Sequence, residues 1–283
     1  MNIKNKNLME IHLAVFLFGL SELFGKLLSL PPVIIVFGRA FFSSIFLLIT
    51  MFYLKKEIKL KQPKHYLYLS LMGVILAIHW STFFQSIQVS TVATGLITFS
   101  TFPVFVTFLE PYFFKEKIEM SNCVIAIITL FGAALVVPSL KLGNSSTQGF
   151  LWGMVSSFTY AILSMLNRKY VKEYSGISIA FYEQLTSTIV LTPLFFLQKP
   201  IFSLRDILLL VLLGVVFTGI AHSLFINGLK NIKTQTAGII SSLEPVYGII
   251  FTAFVLSEIP TLREILGGFI ILSTVFYSTI KAN

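Results

Sequence analysis

The sequence predicts an all-α membrane protein whose ten transmembrane helices form two inverted five-helix repeats. Three observations carry that expectation. Apolar residues make up 55% of the 283-residue chain and charged residues only 12%. Ten apolar runs each have the length of a bilayer-crossing helix. A pattern of polar residues also recurs once along the chain. An ordinary soluble domain is roughly 25% charged, so a water-facing surface cannot be built from these residues, and a soluble enzyme is excluded. Disordered and collagen-like chains are excluded by the same composition. The net charge of +9 comes from short basic runs between apolar stretches. These form no basic patch interleaved with aromatics, so no nucleic-acid partner is expected. One cysteine, Cys123, supports neither a disulfide framework nor a cysteine metal site.

A bilayer-spanning helix needs about 20 mostly apolar residues, and runs of that kind fall at about 10–28, 33–54, 66–87, 91–113, 120–138, 149–168, 177–197, 206–228, 234–256 and 262–280. Lys4 and Lys6 precede the first run, and no small-residue cleavage site follows it, so a retained first helix is expected. The main breaks are the lysine-rich 55–65 and the polar 139–148. With the N-terminus inside, 15 of the 21 Lys and Arg residues fall in inside segments and 4 in outside segments. Lys26 and Arg39 lie within the first two spans. The positive-inside rule then puts both termini in the cytoplasm and makes the number of spans even.

The repeat is visible at an offset of 142 residues. Ser81-Thr-Phe-Phe-Gln85 aligns with Ser223-Leu-Phe-Ile-Asn227, Thr94 with Thr236, Ser100 with Ser242, Pro103-Val104 with Pro245-Val246, and Glu116 with Glu258. Five spans per half is an odd number, so the second half enters the membrane inverted. Inverted repeats with a solute site near the midplane characterise secondary transporters.

These residues resemble a known family. Ser-Thr-Val-Ala-Thr-Gly at 90–95, Phe102-Pro103-Val104 and Lys115-Glu116-Lys117 look like the first EamA repeat of the drug/metabolite transporter superfamily. Thr236-Ala-Gly238, Leu243-Glu-Pro-Val246 and Leu256-Ser-Glu258 look like the second, and Phe16–Lys26 with Phe37-Gly-Arg39 resemble the family's first two helices. The resemblance implies repeats over 1–140 and 147–281, with a central cavity lined mainly by helices 1, 3, 4, 6, 8 and 9. It also implies transport of small metabolites such as amino acids, commonly as efflux, in a bacterial inner membrane. In one respect the halves differ: Phe102 stands where the second repeat has Glu244.

The candidate substrate-binding residues are polar or aromatic groups inside spans, where charge is costly and usually faces a cavity or a partner. Glu22 and Lys26 are four apart on helix 1 and could neutralise each other as a structural pair, or act as a substrate- or proton-coupled pair. Arg39 in helix 2 could link to Glu183 in helix 7 or snorkel to the outer interface. His79, Trp80 and Phe84 lie in helix 3 and His222 in helix 8, with the repeat placing Trp80 opposite His222. Rings and amides there would suit a zwitterionic or aromatic solute, or serve interhelical hydrogen bonding. Thr94 and Thr98 in helix 4, and Gln235 with Ile239 in helix 9, are spaced for close helix packing. Glu244 is read as lying near the middle of helix 9, before a kinking Pro245, and so as a proton or cation site. Glu110 is expected to pair with Lys115, and Asn167 to be a helix-end residue.

No nucleophile elbow, phosphate loop or metal-ligand cluster is present, and the four histidines are scattered. No enzymatic activity, cofactor or metal is therefore expected. The expected partners are a small solute, the lipid bilayer, and protons or a counter-solute as the drive. The sequence leaves the oligomeric state open. It also leaves open a larger cofactor-like solute, such as a nucleoside-containing metabolite or vitamin, taken up or exchanged. A membrane-embedded enzyme or a sensor is the remaining, remote class.

Overall fold

The computed structural model describes residues 3–115, 120–135, 143–241 and 243–282. Every regular element among them is a helix. The first half contains α1 (Ile3–Ser21), α2 (Phe24–Leu27), α3 (Pro32–Tyr53), α4 (Pro63–Val89), α5 (Val92–Phe99), α6 (Phe102–Phe114) and α7 (Met120–Leu135). The second contains α8 (Ser145–Tyr170), α9 (Gly176–Gln198), α10 (Leu204–Gly214), a π-helical turn (Val215–Ile220), α11 (Ala221–Gly228), α12 (Thr234–Ser241), α13 (Glu244–Leu256) and α14 (Leu262–Ala282). Seven stretches are long and apolar enough to cross a bilayer. Two further apolar helical stretches, Cys123–Leu135 and Glu244–Leu256, are shorter.

Local chemistry sets the helix ends. Pro32 and Pro63 open α3 and α4, where the missing N–H is no loss and the fixed φ suits the first turn. Side chains of Thr91, Asn144, Ser175 and Ser203 accept from first-turn amides of α5, α8, α9 and α10. At α10 the cap is reciprocal, with Asp206 accepting from the Ser203 N–H at 3.0 Å. Lys115, Lys199 and Ser257 end α6, α9 and α13 in the left-handed conformation, which closes a helix by exposing its last carbonyls to new donors.

Four of the apolar runs are not continuous helices. The first breaks at residues 22–23, the fourth at Ser100-Thr101 and the ninth at Leu243, while the eighth passes through the π-turn. Two sequence expectations change as a result. Glu22 and Lys26 do not stand on one unbroken helix, because turn residues 22–23 separate α1 from α2. Glu244 is the first residue of α13, and Pro245 follows in the first turn and starts that helix without kinking it. Glu116, Lys117, residues 139–142 and Ser242 lie outside the described residues, as do the side chains of Gln235 and Ile239.

A single large apolar core joins both halves and runs from Ile11 and Val15 through Phe84 and Leu96 to Phe225 and Ile240. Helices approach closely at glycines. A Cβ on Gly214 would stand 2.7 Å from the Phe42 Cβ and 2.9 Å from the Arg39 carbonyl oxygen. Both are rigid parts of α3, so the backbones must separate to admit it. Gly214→Val is expected to destabilise the protein by about 1–3 kcal/mol, the usual scale of overpacking, read as a lower thermal midpoint of the detergent-solubilised protein. An unchanged midpoint would contradict this packing.

Candidate functional site

The helix breaks surround a narrow buried cavity. Phe18, Ser21 and Glu22 approach it from the end of α1, Arg39 from α3, and His79, Trp80 and Phe83 from α4. Phe99 reaches it from the end of α5, Tyr160 from α8, His222 from α11 and Glu244 from the start of α13. Its open volume is about 20 Å³, room for about one water. This conformation is closed around the polar groups.

Arg39 organises one wall. It is 1% exposed, so it does not snorkel. Its Nε donates to Thr218 Oγ1 at 3.0 Å, and Thr218 lies in the π-turn. Its guanidinium carbon lies 3.9 Å from the centroid of the Trp80 ring and 5.3 Å from that of Phe84. A cation over an aromatic face recovers part of the hydration it has lost. Glu22 and Glu244 line the same cavity. Among the described residues neither carboxylate forms an ion pair within 4 Å of Arg39. Glu22 Oε1 accepts from Ser21 Oγ at 2.8 Å, and its Oε2 is buried without a hydrogen-bond partner. A carboxylate oxygen left free beside a cavity is an acceptor for an incoming donor.

The expected Arg39–Glu183 link does not form. Glu183 Oε2 pairs with His222 Nε2 at 2.6 Å instead, because α11 brings the imidazole onto the face of α9 that carries Glu183. His222 also meets Trp80 edge to face, with ring centroids 5.7 Å apart. His79 is held differently: Ser156 engages its Nδ1 through the carbonyl oxygen at 3.0 Å and the hydroxyl at 2.8 Å, and Tyr160 packs on the ring at 4.7 Å.

Thus Glu22, Arg39, His79, Trp80, His222 and Glu244 meet in one place. Phe84 supports Arg39 and packs under Gly25 without lining the cavity. Lys26 points away, and its Nζ donates to the Ser90 carbonyl at 2.8 Å, so the Glu22–Lys26 pair is replaced by a lysine closing the end of α4. The Thr94 N–H donates to the α5 cap, Thr91 Oγ1, at 2.9 Å, and its hydroxyl donates to Glu264 Oε1 at 3.0 Å. Thr98 packs against Gly153. Gln235 has its side chain outside the described residues. Glu110 pairs with Arg168, and the guanidinium rests on Phe114. Asn167 is a buried residue within α8. Sequence reasoning missed Phe18, Ser21, Phe83, Phe99 and Tyr160. The aromatic ones resemble any other ring in an apolar run, and only the packing of the helices marks their place.

Hydrogen-bonded contacts tie the helices together on either side of the cavity. Toward the start of α1, Asn227 Nδ2 donates to Glu10 Oε2 at 2.7 Å and Asn231 Nδ2 to Asn7 Oδ1 at 2.6 Å. Beyond the end of α1, Glu258 Oε1 accepts from Val92 N at 2.8 Å and Glu264 Oε1 from Thr91 Oγ1 at 2.5 Å. Glu10 and Glu22 are separated by about 18 Å along the helix axis at 1.5 Å per residue, so the first contacts and the cavity occupy different depths.

A bundle of long apolar helices, interrupted around buried charges, defines a multi-pass membrane transporter. The model of the EamA-like transporter family matches residues 8–137 and 147–280, and the chain belongs to that family. Among its relatives is an uncharacterised transporter, YxxF, of Bacillus subtilis, 25% identical over 272 residues and covering 93% of this chain and 86% of the relative. A protein of Rickettsia conorii named S-adenosylmethionine uptake transporter is 26% identical over 255 residues, covering 88% of this chain and 84% of the relative. A solved crystal structure superposes with a TM-score of 0.75 at 15% identity over 98% of both chains, a likeness of fold.

Removing the Arg39 charge is expected to leave the surrounding carboxylates uncompensated. Arg39→Leu should lower the thermal stability of the purified protein by about 3–5 kcal/mol, the scale of breaking a buried charge network. Arg39→Lys should restore only part of it, since a lysine lacks the planar fork that stacks on Trp80 while donating to Thr218. Full rescue by lysine would refute this account of the wall.

Proposed function

We propose that the protein is a secondary transporter that carries an amino-acid-headed metabolite across a bacterial inner membrane by alternating access. The observation that carries this reading is the convergence of interrupted helices on two carboxylates, one guanidinium and a ring-lined wall. Glu22 and Glu244 suit an ammonium or another cationic centre. Arg39 suits a carboxylate, and Trp80, Phe83, Phe99 and Tyr160 suit an aromatic part of the solute. Of the two cationic candidates, Lys26 and Arg39, only Arg39 reaches the cavity, which favours a solute that is zwitterionic or carries net positive charge. An amino acid and the larger, nucleoside-containing solute both meet these charges, and the ring-lined wall favours the larger one. S-Adenosylmethionine combines a sulfonium, an amino-acid head and an adenine, and the name of the Rickettsia relatives supports it as the first probe.

The architecture we propose has ten spans in two inverted repeats, over residues 1–140 and 147–281, with both termini cytoplasmic. Several features support the repeat. The family model matches twice. Among the described residues, the four non-glycine residues with positive φ fall into two pairs, Lys115 with Ser257 and Lys55 with Lys199, at offsets of 142 and 144. Pro103 and Pro245 both open a helix just after a break. Packing is paired as well: α4 lies on α8 as α11 lies on α1, and α3 meets α9 as α7 meets α14. The chain's excess of inside lysines supports the orientation. In alternating access the halves rock about the cavity, and the two sets of contacts open in turn.

Two measurements test this reading. In proteoliposomes, radiolabelled S-adenosylmethionine should exchange across the membrane, and Glu244→Gln should slow exchange by about tenfold, the effect of about 1.4 kcal/mol. Transport of neither S-adenosylmethionine nor any amino acid of a standard panel would overturn it. Single cysteines added at each terminus of a variant lacking Cys123 should be labelled by an impermeant maleimide only in inside-out vesicles. Labelling of one terminus in each vesicle type would exclude an even number of spans.

A further inference from the structure

Glu183 lies behind the cavity wall and has no part in the site described above. It is fully buried on α9, and its side chain has one hydrogen-bond partner among the described residues, His222. Its other oxygen, Oε1, is unpartnered. Both amide atoms of the neighbouring Gln184, also fully buried, are unpartnered, as is the hydroxyl of Ser223, which follows His222. A charged carboxylate in such a place is costly unless a counter-charge accompanies it. The imidazole of His222, 2.6 Å away, is the group that meets it. The second cavity histidine, His79, is engaged by Ser156 and has no carboxylate. Only one of the two histidines is therefore built to hold a proton against a buried acid.

Resting on the transport reading above, we propose that His222 and Glu183 together hold the coupling proton, while the solute occupies the opposite wall. His222 presents the proton to the cavity and Glu183 stabilises it from behind. The titratable groups that face the pair are Glu22 beyond α1, Arg39 on α3, His79 on α4, Tyr160 on α8 and Glu244 on α13. A cationic solute in the cavity lowers the need for a proton on the pair, and a proton on the pair repels that solute. Proton and solute therefore travel in opposite directions. The proton enters from water on the side to which the cavity is open and leaves to water on the other side, with no other bond made or broken.

The test has two arms that fail separately. The first needs no solute. The chain has two tryptophans, and Trp80 abuts His222, so Trp152→Phe leaves Trp80 as the reporter. Its emission should show a one-proton step as the pH is varied, since a proton on the imidazole changes the charge beside the indole. His222→Gln should abolish the step, and Glu183→Gln should displace it by at least about one pH unit. Absence of the step in the parent, or its persistence unchanged in both variants, overturns the proposal even if transport is normal. The second arm uses radiolabelled S-adenosylmethionine and proteoliposomes with an acidic interior. Accumulation should exceed that of vesicles without a gradient by about tenfold, and Glu183→Gln should remove this stimulation while gradient-free exchange persists, because Glu183 does not line the cavity. Accumulation that ignores the pH gradient in the parent, or that keeps its stimulation in a folded Glu183→Gln, also overturns it. Failure of S-adenosylmethionine to move at all would count against the substrate reading and leave the fluorescence arm to decide the proton site.

Discussion

Arg39 carries a charge into a medium that cannot solvate it, and much of the central structure answers that problem. Hydrocarbon offers the guanidinium no hydrogen bonds, so protein must supply them. Trp80 provides a π-face and Thr218 an oxygen, and Glu22 and Glu244 line the same cavity. Each of those groups requires something of the backbone. Thr218 can face Arg39 where the π-turn changes the pitch of the eighth run. Glu22 and Glu244 sit where helices stop or start.

That last placement has a physical logic. A carboxylate at the first turn of a helix faces the unsatisfied N–H groups and the positive end of the dipole, as Glu244 does at α13. Breaks in membrane helices are tolerated where side chains and neighbouring helices satisfy the freed backbone groups, and the same breaks leave polar groups available to a guest. The cost of interrupting a helix and the capacity to hold a polar solute thus arise at one location.

The apolar core does the opposite work. Glycines such as Gly73, Gly176 and Gly214 let backbones approach until an added Cβ would clash, and this holds the long helices rigid around the centre. Rigidity at the rim with looseness at the breaks is the combination that two-state switching requires.

The class of protein was legible from the sequence, because the length and apolarity of a span are local properties that follow directly from bilayer thickness. So were the candidate charges, because an ionisable residue within an apolar run stands out. Spacing failed where it assumed unbroken helices. Glu22 and Lys26 separate because the chain turns between them, and Glu244 begins a helix that the pattern 234–256 made continuous. Pairing was also beyond reach. Glu183 was assigned to Arg39 and belongs to His222, and Glu110 was assigned to Lys115 and belongs to Arg168. Which acid meets which base depends on how helices rotate and slide against one another, and that is set by many weak packing contacts distributed over the whole bundle. Composition and periodicity determine that these charges lie in the membrane; only the packed structure decides that Arg39 rests on Trp80 and that His222 has Glu183 behind it.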